Sequence, residues 1–196
     1  MVLTIGRSSQ HSSVYTSFSD EYKNKEKEMW YFGELIQIDN TIIIPFLSTQ
    51  YFSRKEATAT RNYLFVNAKT NSSSWLFNHN KFVISKFKYI DKNEIIKYSS
   101  LSNKSIALYF TVNKQDTNGD GAIKSNDNQT ISLIKLDGSN YTEIEQDISF
   151  VKDSAVIDDG NSLLLFYEKK EKVYLSKYSL IDFKKITDIK IAGNSN

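Results

Sequence analysis

One stretch of the sequence combines residue types and spacing that could bind a metal ion. It runs from position 116 to position 127 and reads DTNGDGAIKSND. Three side chains alternate along it, so three oxygen atoms can converge on one hard cation, and the backbone carbonyl of the seventh residue adds a fourth ligand. The last residue stands where a calcium loop of this length closes. The predicted calcium ligands are Asp116, Asn118, Asp120, Ala122 and Asp127.

The remaining positions of the loop refine this prediction. Gly121 supplies the sharp turn that such a loop needs, and we expect Ile123 to point inward. Lys124 cannot act as a ligand, so a water molecule is expected at the ninth position. Asp127 has a shorter side chain than the usual glutamate and reaches less easily for bidentate coordination. Weaker affinity or an altered geometry is the expected consequence.

The pattern DxNxDG resembles the EF-hand-like loops of dockerins and other extracellular calcium modules. This resemblance covers about a dozen residues and implies a bound Ca²⁺ with a structural role. Loops with weak ligand sets match millimolar calcium better than cytosolic levels. The expected location is therefore the periplasm or the cell exterior.

The loop lies between two segments that have the pattern of β-strands. KSIALYFTVN precedes it and QTISLIKLD follows it. Since the loop joins strands and not helices, the predicted ion ties two strands together and does not open a groove as a sensor EF-hand would. A solvated turn without an ion is the alternative.

Composition favours β-sheet over the whole chain. Aromatic residues make up 13% of the 196 residues, β-branched residues are frequent, and there is a single proline, Pro45. Strand-like segments follow one another closely from position 29 onward, as in an antiparallel meander. Pro45 predicts an edge position or a bulge in its strand, and a slip in the alternation near Lys86 predicts a second bulge. The segment SRKEATATR is expected to form a loop or short helix.

Three segments repeat one pattern of a strongly apolar strand, a loop, a second strand and a weaker third. They begin at Thr41, Ser105 and Ser162, roughly 60 residues apart. The loop after the first strand is predicted to be long in the first copy, calcium-binding in the second and almost absent in the third. The repeat resembles β-propeller blades, and a β-sandwich is the alternative. We expect an N-terminal arm with the first strands at 1–40 and the repeats at 41–196, in one domain.

Several features exclude common functions. There is no cysteine, which removes disulfides, zinc-thiolate sites and thiol catalysis. The 25 basic and 23 acidic residues are interspersed, so neither a nucleic-acid surface nor a membrane surface is indicated. The lysines at 81, 86 and 88 are interpreted as a solvated strand face. No apolar run approaches the ~18 residues that would span a bilayer, and the N-terminus lacks a signal-peptide pattern.

Other residues that could support catalysis have simpler explanations. His11 and His79 are far apart and are expected at the surface. The carboxylate pair at 158 and 159 fits a turn before Gly160, and Glu143 and Glu145 fit the exposed face of a strand.

Trp30 and Trp75, with Tyr31, Phe32 and Phe77 beside them, belong either to the core or to an aromatic platform for sugar or peptide. The sequence thus predicts a non-enzymatic, calcium-stabilised β module with an unknown protein or carbohydrate ligand. A hydrolase with a loop-built site and a structural fragment of a larger surface protein are the alternatives. The oligomeric state stays open.

Overall fold

The computed structural model describes residues 28–52, 55–92, 94–97 and 105–191, and the regular structure of these residues is entirely β. The predicted N-terminal arm, the charge cluster at 21–27 and His11 lie outside the described residues. Fourteen strands form in the described part of the chain. They are β1 (Glu28–Phe32), β2 (Ile36–Ile38), β3 (Thr41–Phe52), β4 (Lys55–Asn67), β5 (Ser73–Trp75), β6 (Val83–Asp91), β7 (Ile95–Lys97), β8 (Ser105–Asn113), β9 (Gln129–Ile134), β10 (Thr142–Ile148), β11 (Phe150–Ile157), β12 (Ser162–Lys169), β13 (Lys172–Ser179) and β14 (Lys185–Ile191).

The strands form three antiparallel meanders, which we name sheets 1, 2 and 3. In sheet 1, β1 and β2 pair with one edge of β3, β3 pairs with β4, and β4 pairs with β5. Sheet 2 has the order β6-β8-β9-β10, with β7 on the other edge of β6. Sheet 3 has the order β11-β12-β13-β14. One residue pair, Thr60 with Ile84, joins sheet 1 to sheet 2.

Sheet 2 lies between the other two and is buried on both faces. One core cluster joins residues such as Ile43 and Phe65 of sheet 1 to Leu108 and Phe110 of sheet 2. A second cluster joins Ala107, Tyr109 and Ile131 of sheet 2 to Leu163 and Leu165 of sheet 3. Because neighbouring residues of β8 enter opposite cores, this strand has no polar face and reads as a continuous apolar run.

The predicted all-β, antiparallel, propeller-like meander is confirmed, and so are the three repeated units. They correspond to β3-β4-β5, β8-β9-β10 and β12-β13-β14. Strands that the predicted repeat did not include precede each unit in the chain: β1 and β2 in sheet 1, β6 and β7 in sheet 2, and β11 in sheet 3. The apolar first strand of each unit is therefore paired on both edges, with a preceding strand on one side and with the second strand of the unit on the other.

Local predictions fared unevenly. A bulge lies between Ile84 and Lys86 of β6, as predicted. The irregularity opposite Phe46 and Leu47 has its extra residue, Arg61, in β4, so the bulge predicted for the strand of Pro45 lies in the neighbouring strand instead. The predicted loop or helix at SRKEATATR is wrong, because β4 begins at Lys55 and pairs with β3 from there. The long loop expected in the first repeat is correspondingly a strand hairpin.

The described residues contain no helix long and apolar enough to cross a membrane.

Candidate functional site

The predicted calcium loop connects β8 to β9 and is organised around one buried carboxylate. Asp127 is 1% exposed. Its Oδ1 accepts hydrogen bonds from the backbone N–H groups of Thr117 (2.7 Å) and Asn118 (3.2 Å) and from the Thr117 hydroxyl, and its Oδ2 accepts one from the N–H of Lys124 (2.8 Å). Burial opposes ionisation, but these four hydrogen bonds outweigh it and hold the pKa of Asp127 below its ordinary value. Asp127 thus holds the two ends of the loop together by hydrogen bonds, and its role as a calcium ligand stays a prediction.

The other acidic side chains of the loop are also engaged. The carboxylate of Asp116 accepts hydrogen bonds from the backbone N–H groups of Gly119 and Gly121, both at 2.7 Å. Asp120 forms an ion pair with Lys124, with 2.9 Å between Oδ2 and Nζ, and this contact lowers the pKa of Asp120. In this arrangement no group of three His, Cys, Asp or Glu residues within the described chain could hold a metal ion. Asp116, Asn118 and Asp120 nonetheless share one short surface turn, and their oxygen atoms are the ligands that Ca²⁺ prefers.

The loop is fastened to the sheet at its base. Asn113, at the end of β8, is fully buried and donates from Nδ2 to the carbonyl of Asp127 at 2.7 Å. Lys114 forms an ion pair with Glu143 of β10. Ile123, expected to point inward, is half-buried. These contacts tie the base of the loop to β8 and β10.

The residues weighed as catalytic candidates lie apart. His79 contacts the rings of Phe77 and Phe82, and no described carboxylate forms an ion pair with it. Asp158 and Asp159 lie in the turn between β11 and β12, as predicted, and Asp158 pairs with Lys177 at 2.5 Å. The aromatic contacts of His79 favour a packing role for this side chain.

Glu145 is the clearest correction at the level of a single residue. The sequence placed it on an exposed strand face, but it is 7% exposed and faces sheet 3. Its Oε1 accepts a hydrogen bond from the hydroxyl of Tyr178 at 2.5 Å and pairs with Lys185 of β14. Lys169 approaches its Oε2 at 3.9 Å. Burial and the hydrogen bond to Glu145 raise the pKa of Tyr178.

A second branch of this polar network surrounds Ser176. The Ser176 hydroxyl donates to Asp188 and lies 3.2 Å from the hydroxyl of Tyr167. Lys185 Nζ lies 3.6 Å from Asp188 and so connects this branch to Glu145. Every acidic group in the network has a cation or a hydroxyl group as its partner. The arrangement fits a polar lock between sheets 2 and 3 better than a general acid or base awaiting substrate.

A cluster of aromatic rings, three of them exposed, lies on the outer face of sheet 1. We name it the aromatic face; it consists of Trp30 and Phe32 on β1, Phe46 on β3 and Trp75 on β5. Trp30, Phe32 and Trp75 are 43%, 54% and 45% exposed. Their ring centroids and that of Phe46 lie 5.2–6.0 Å apart in one contiguous set of contacts. From the sequence, the two tryptophans could belong either to the core or to an exposed aromatic platform. In the structure they lie at the surface.

A polar edge borders the aromatic face. Arg61, the extra residue at the bulge of β4, donates from Nε to the hydroxyl of Ser48 at 2.8 Å. Its guanidinium lies 3.6 Å from the carboxylate of Glu28. Glu28 shares a side of β1 with Trp30 and Phe32, because residues two apart on a strand face the same way. The face thus combines an apolar centre with a charged rim.

Comparisons with known proteins give little information about this site. No protein-family model and no curated protein matches the sequence. Among solved structures, the chain is similar to the β-propeller domain of the Trilobed protease from Pyrococcus furiosus, described as having an open velcro topology, with a TM-score of 0.39 and 11% identity. The match covers 83% of this chain and 43% of that one, so this chain spans less than half of the other. At this TM-score the likeness has no bearing on function.

Proposed function

We propose that this chain is a non-enzymatic interaction module that binds a protein partner through the aromatic face, with a calcium ion stabilising the β8–β9 loop. The observation that carries the proposal is the contiguous set of rings on one sheet face, in which Trp30, Phe32 and Trp75 are exposed and surround the half-buried Phe46. Soluble proteins rarely expose contiguous apolar patches unless these serve as binding surfaces.

The chemistry of the face favours a protein over a carbohydrate. Tryptophan and arginine are the residues most enriched in the energetic centres of protein interfaces. The Phe46 and Trp75 rings meet edge to face at 71°, so the surface is ridged and does not offer one flat platform to a sugar ring. Arg61, at the edge of the face, already engages Ser48 and Glu28. A carbohydrate is the alternative that the experiment below must separate.

Tryptophan fluorescence tests the binding proposal directly, because Trp30 and Trp75 are the only tryptophans of the chain and both belong to the face. Peptides would be selected from a displayed random library on the wild-type protein and counter-selected on Phe32→Glu. We expect selected peptides to shift the tryptophan emission of the wild type and not that of the variant. Soluble oligosaccharides form the second arm. If only oligosaccharides shift the emission, the ligand is a carbohydrate and not a protein. If neither peptides nor oligosaccharides shift the emission, the proposal is wrong.

The calcium part of the proposal rests on the oxygen-rich turn and on the backbone carbonyl of Ala122 at the seventh position. To bind the ion, the Asp120 carboxylate must give up its ion pair with Lys124 and contact calcium instead. Both side chains are at the surface, so they can separate without disturbing the core. The ion would neutralise carboxylates held close together in one turn. Loops with a weak ligand set also fit a calcium-rich compartment, and we propose a periplasmic or extracellular location on that ground.

Calorimetric titration with calcium separates this site from a turn without an ion. We expect the wild type to bind calcium and Asp120→Ala to lose the binding. Lys124→Ala is the matched control, because it removes the same ion pair without removing a ligand and should bind at least as tightly as the wild type. Indistinguishable titrations of the wild type and Asp120→Ala would contradict calcium binding at this loop.

A further inference from the structure

Building on the proposed function of the aromatic face, we propose that its partner is a second copy of this chain, which docks head to tail through the outer face of sheet 3. That outer face is also apolar. We name it the distal face; it consists of Leu164 and Phe166 on β12, Leu175 on β13, and Ile189 and Ile191 on β14. The two faces lie at opposite ends of the series of three sheets.

The register of sheet 3 places these side chains together. Phe166 pairs with Leu175, and Leu175 pairs with Ile189, so the three side chains form one row across the sheet. Ile189 is 54% exposed and Ile191 38%. An open hollow of about 340 Å³ lies on this face, lined by Leu164, Phe166, Leu175 and Ile191 among others. The distal face is therefore an apolar surface with a recess, opposite in position to the ridged aromatic face.

The internal repeat specifies which face should meet which. Aligned from Thr41, Ser105 and Ser162, the positions Ile43, Ala107 and Leu164 are equivalent. Ile43 lies in the core toward sheet 2, and Ala107 lies in the core toward sheet 3. In each case this position faces the next sheet of the series. Leu164 faces the side where a following sheet would stand.

The neighbouring position gives the complementary result. Ile44, Leu108 and Leu165 are equivalent in the same alignment. Leu108 lies in the core toward sheet 1, and Leu165 in the core toward sheet 2, so each faces the preceding sheet. Ile44 alternates with the buried Ile43 and is on the outer side of sheet 1, with the aromatic face. The distal face is equivalent to the side of sheet 1 that faces sheet 2, and the aromatic face is equivalent to the side of sheet 2 that faces sheet 1. If the distal face of one copy packs on the aromatic face of another, the contact therefore repeats the one between sheets 1 and 2.

The number of copies follows from the number of sheets. A contact between two different faces is heterologous, and it closes into a ring or continues as a filament. Rings of face-packed, four-stranded sheets contain roughly four to eight sheets. With three sheets per chain, two copies give six and three copies exceed the range. We therefore infer a closed pair with two identical head-to-tail interfaces.

Sedimentation and light scattering of the full chain test this inference over roughly a hundredfold range of concentration. We expect a species of twice the monomer mass of 22.6 kDa that dissociates on dilution. Phe32→Glu places a charge on the aromatic face and Ile189→Lys one on the distal face. Each variant alone should be monomeric, because every interface then includes a damaged face. Both substituted side chains are exposed, and circular dichroism verifies that the variants fold.

Mixing the two variants is the decisive measurement. An equimolar mixture should recover the doubled mass, because the distal face of Phe32→Glu and the aromatic face of Ile189→Lys are intact and form one interface. The second interface of the mixed pair brings together the two substituted faces, whose introduced charges are of opposite sign. Failure of the mixture to pair, or pairing by either variant alone, would overturn the head-to-tail contact. A wild type that is monomeric at every concentration would overturn the inference while leaving the peptide-binding result, and thus the proposed function, to stand separately.

Discussion

Glu145 is buried because β10 contains a bulge. Glu143 pairs with Ser132 and Glu145 pairs with Ile131, so Ile144 is the extra residue between them. In a regular strand Glu145 would point away from the side that Ile144 faces. The bulge turns both toward the interior, where Ile144 is 8% and Glu145 7% exposed. Counting alternate positions in the sequence could not reveal this, because a bulge of one residue leaves no mark in a short polar strand.

Removing this carboxylate should weaken the contact between sheets 2 and 3. Glu145→Ala leaves the hydroxyl of Tyr178, a residue 1% exposed, without its carboxylate acceptor. We expect the free energy of unfolding to fall by about 1–3 kcal/mol. Urea unfolding of Glu145→Ala, Tyr178→Phe and the double variant measures the coupling. The double variant should lose less than the sum of the single losses, and strict additivity would show that the hydrogen bond does not contribute.

Asp127 predicts a loss of stability in acid. Its pKa is lower in the folded chain than the value of about 4 expected when unfolded, so its contribution is full above pH ~4 and is lost as the pH falls through the folded value. Asp127→Asn should therefore be less stable than the wild type at neutral pH, and the difference should shrink below pH ~4. Thermal unfolding in the presence of a chelator, at several pH values, measures this. A difference that is independent of pH would contradict the assignment.

Turns, and the bulge of β6, were the features that the sequence predicted best. The turn at 158–161 and the bulge at Ser85 of β6 depend on local backbone preferences, which a few neighbouring residues determine. The two-residue connection Lys170–Glu171, with φ of 49° and 59°, likewise matches the nearly absent loop of the third repeat. The error at β4 has the opposite cause. Its N-terminal half has no apolar alternation and forms a strand because it pairs with β3, a contact that the sequence pattern does not show.

Gly138 tests how closely the β9–β10 turn approaches sheet 1. Its φ is +83°, and a Cβ atom there would lie 2.6 Å from Cγ of Phe65. Gly138→Ala combines the cost of a left-handed backbone, about 1 kcal/mol, with an overpacking cost of about 1–3 kcal/mol at the core between sheets 1 and 2. Gly119→Ala is the matched control, since its φ is +75° and no atom lies within 4 Å. In urea unfolding with a chelator, Gly138→Ala should lose clearly more stability than Gly119→Ala. Equal losses would mean that the turn can move away from Phe65.

Considered as a whole, the chain is a series of three sheets whose two end faces are apolar. The sequence predicted the repeat because each unit carries the same order of strong and weak strands. The sequence could not show which side of a strand is buried, because in a run such as SLLLFYEK the residues on both sides of the strand are apolar. Leu163 and Leu165 are fully buried while Leu164 is only half-buried, and that distinction depends on which sheet follows. The aromatic face escaped assignment for the same reason.

Hydrogen exchange of backbone amides should follow this order of the sheets. We expect the slowest exchange in β8 and β9, because sheet 2 is covered on both faces, and the fastest in β14, an edge strand whose side chains are all exposed. If two copies dock head to tail, protection of β14 should rise with protein concentration in the wild type and stay low in Ile189→Lys. In Ile189→Lys no partner copy covers β14. If the amides of β14 in this variant exchange as slowly as those of β8, sheet 2 is not the most stable part of the chain. The comparison thus separates protection that belongs to one chain from protection that a second copy supplies.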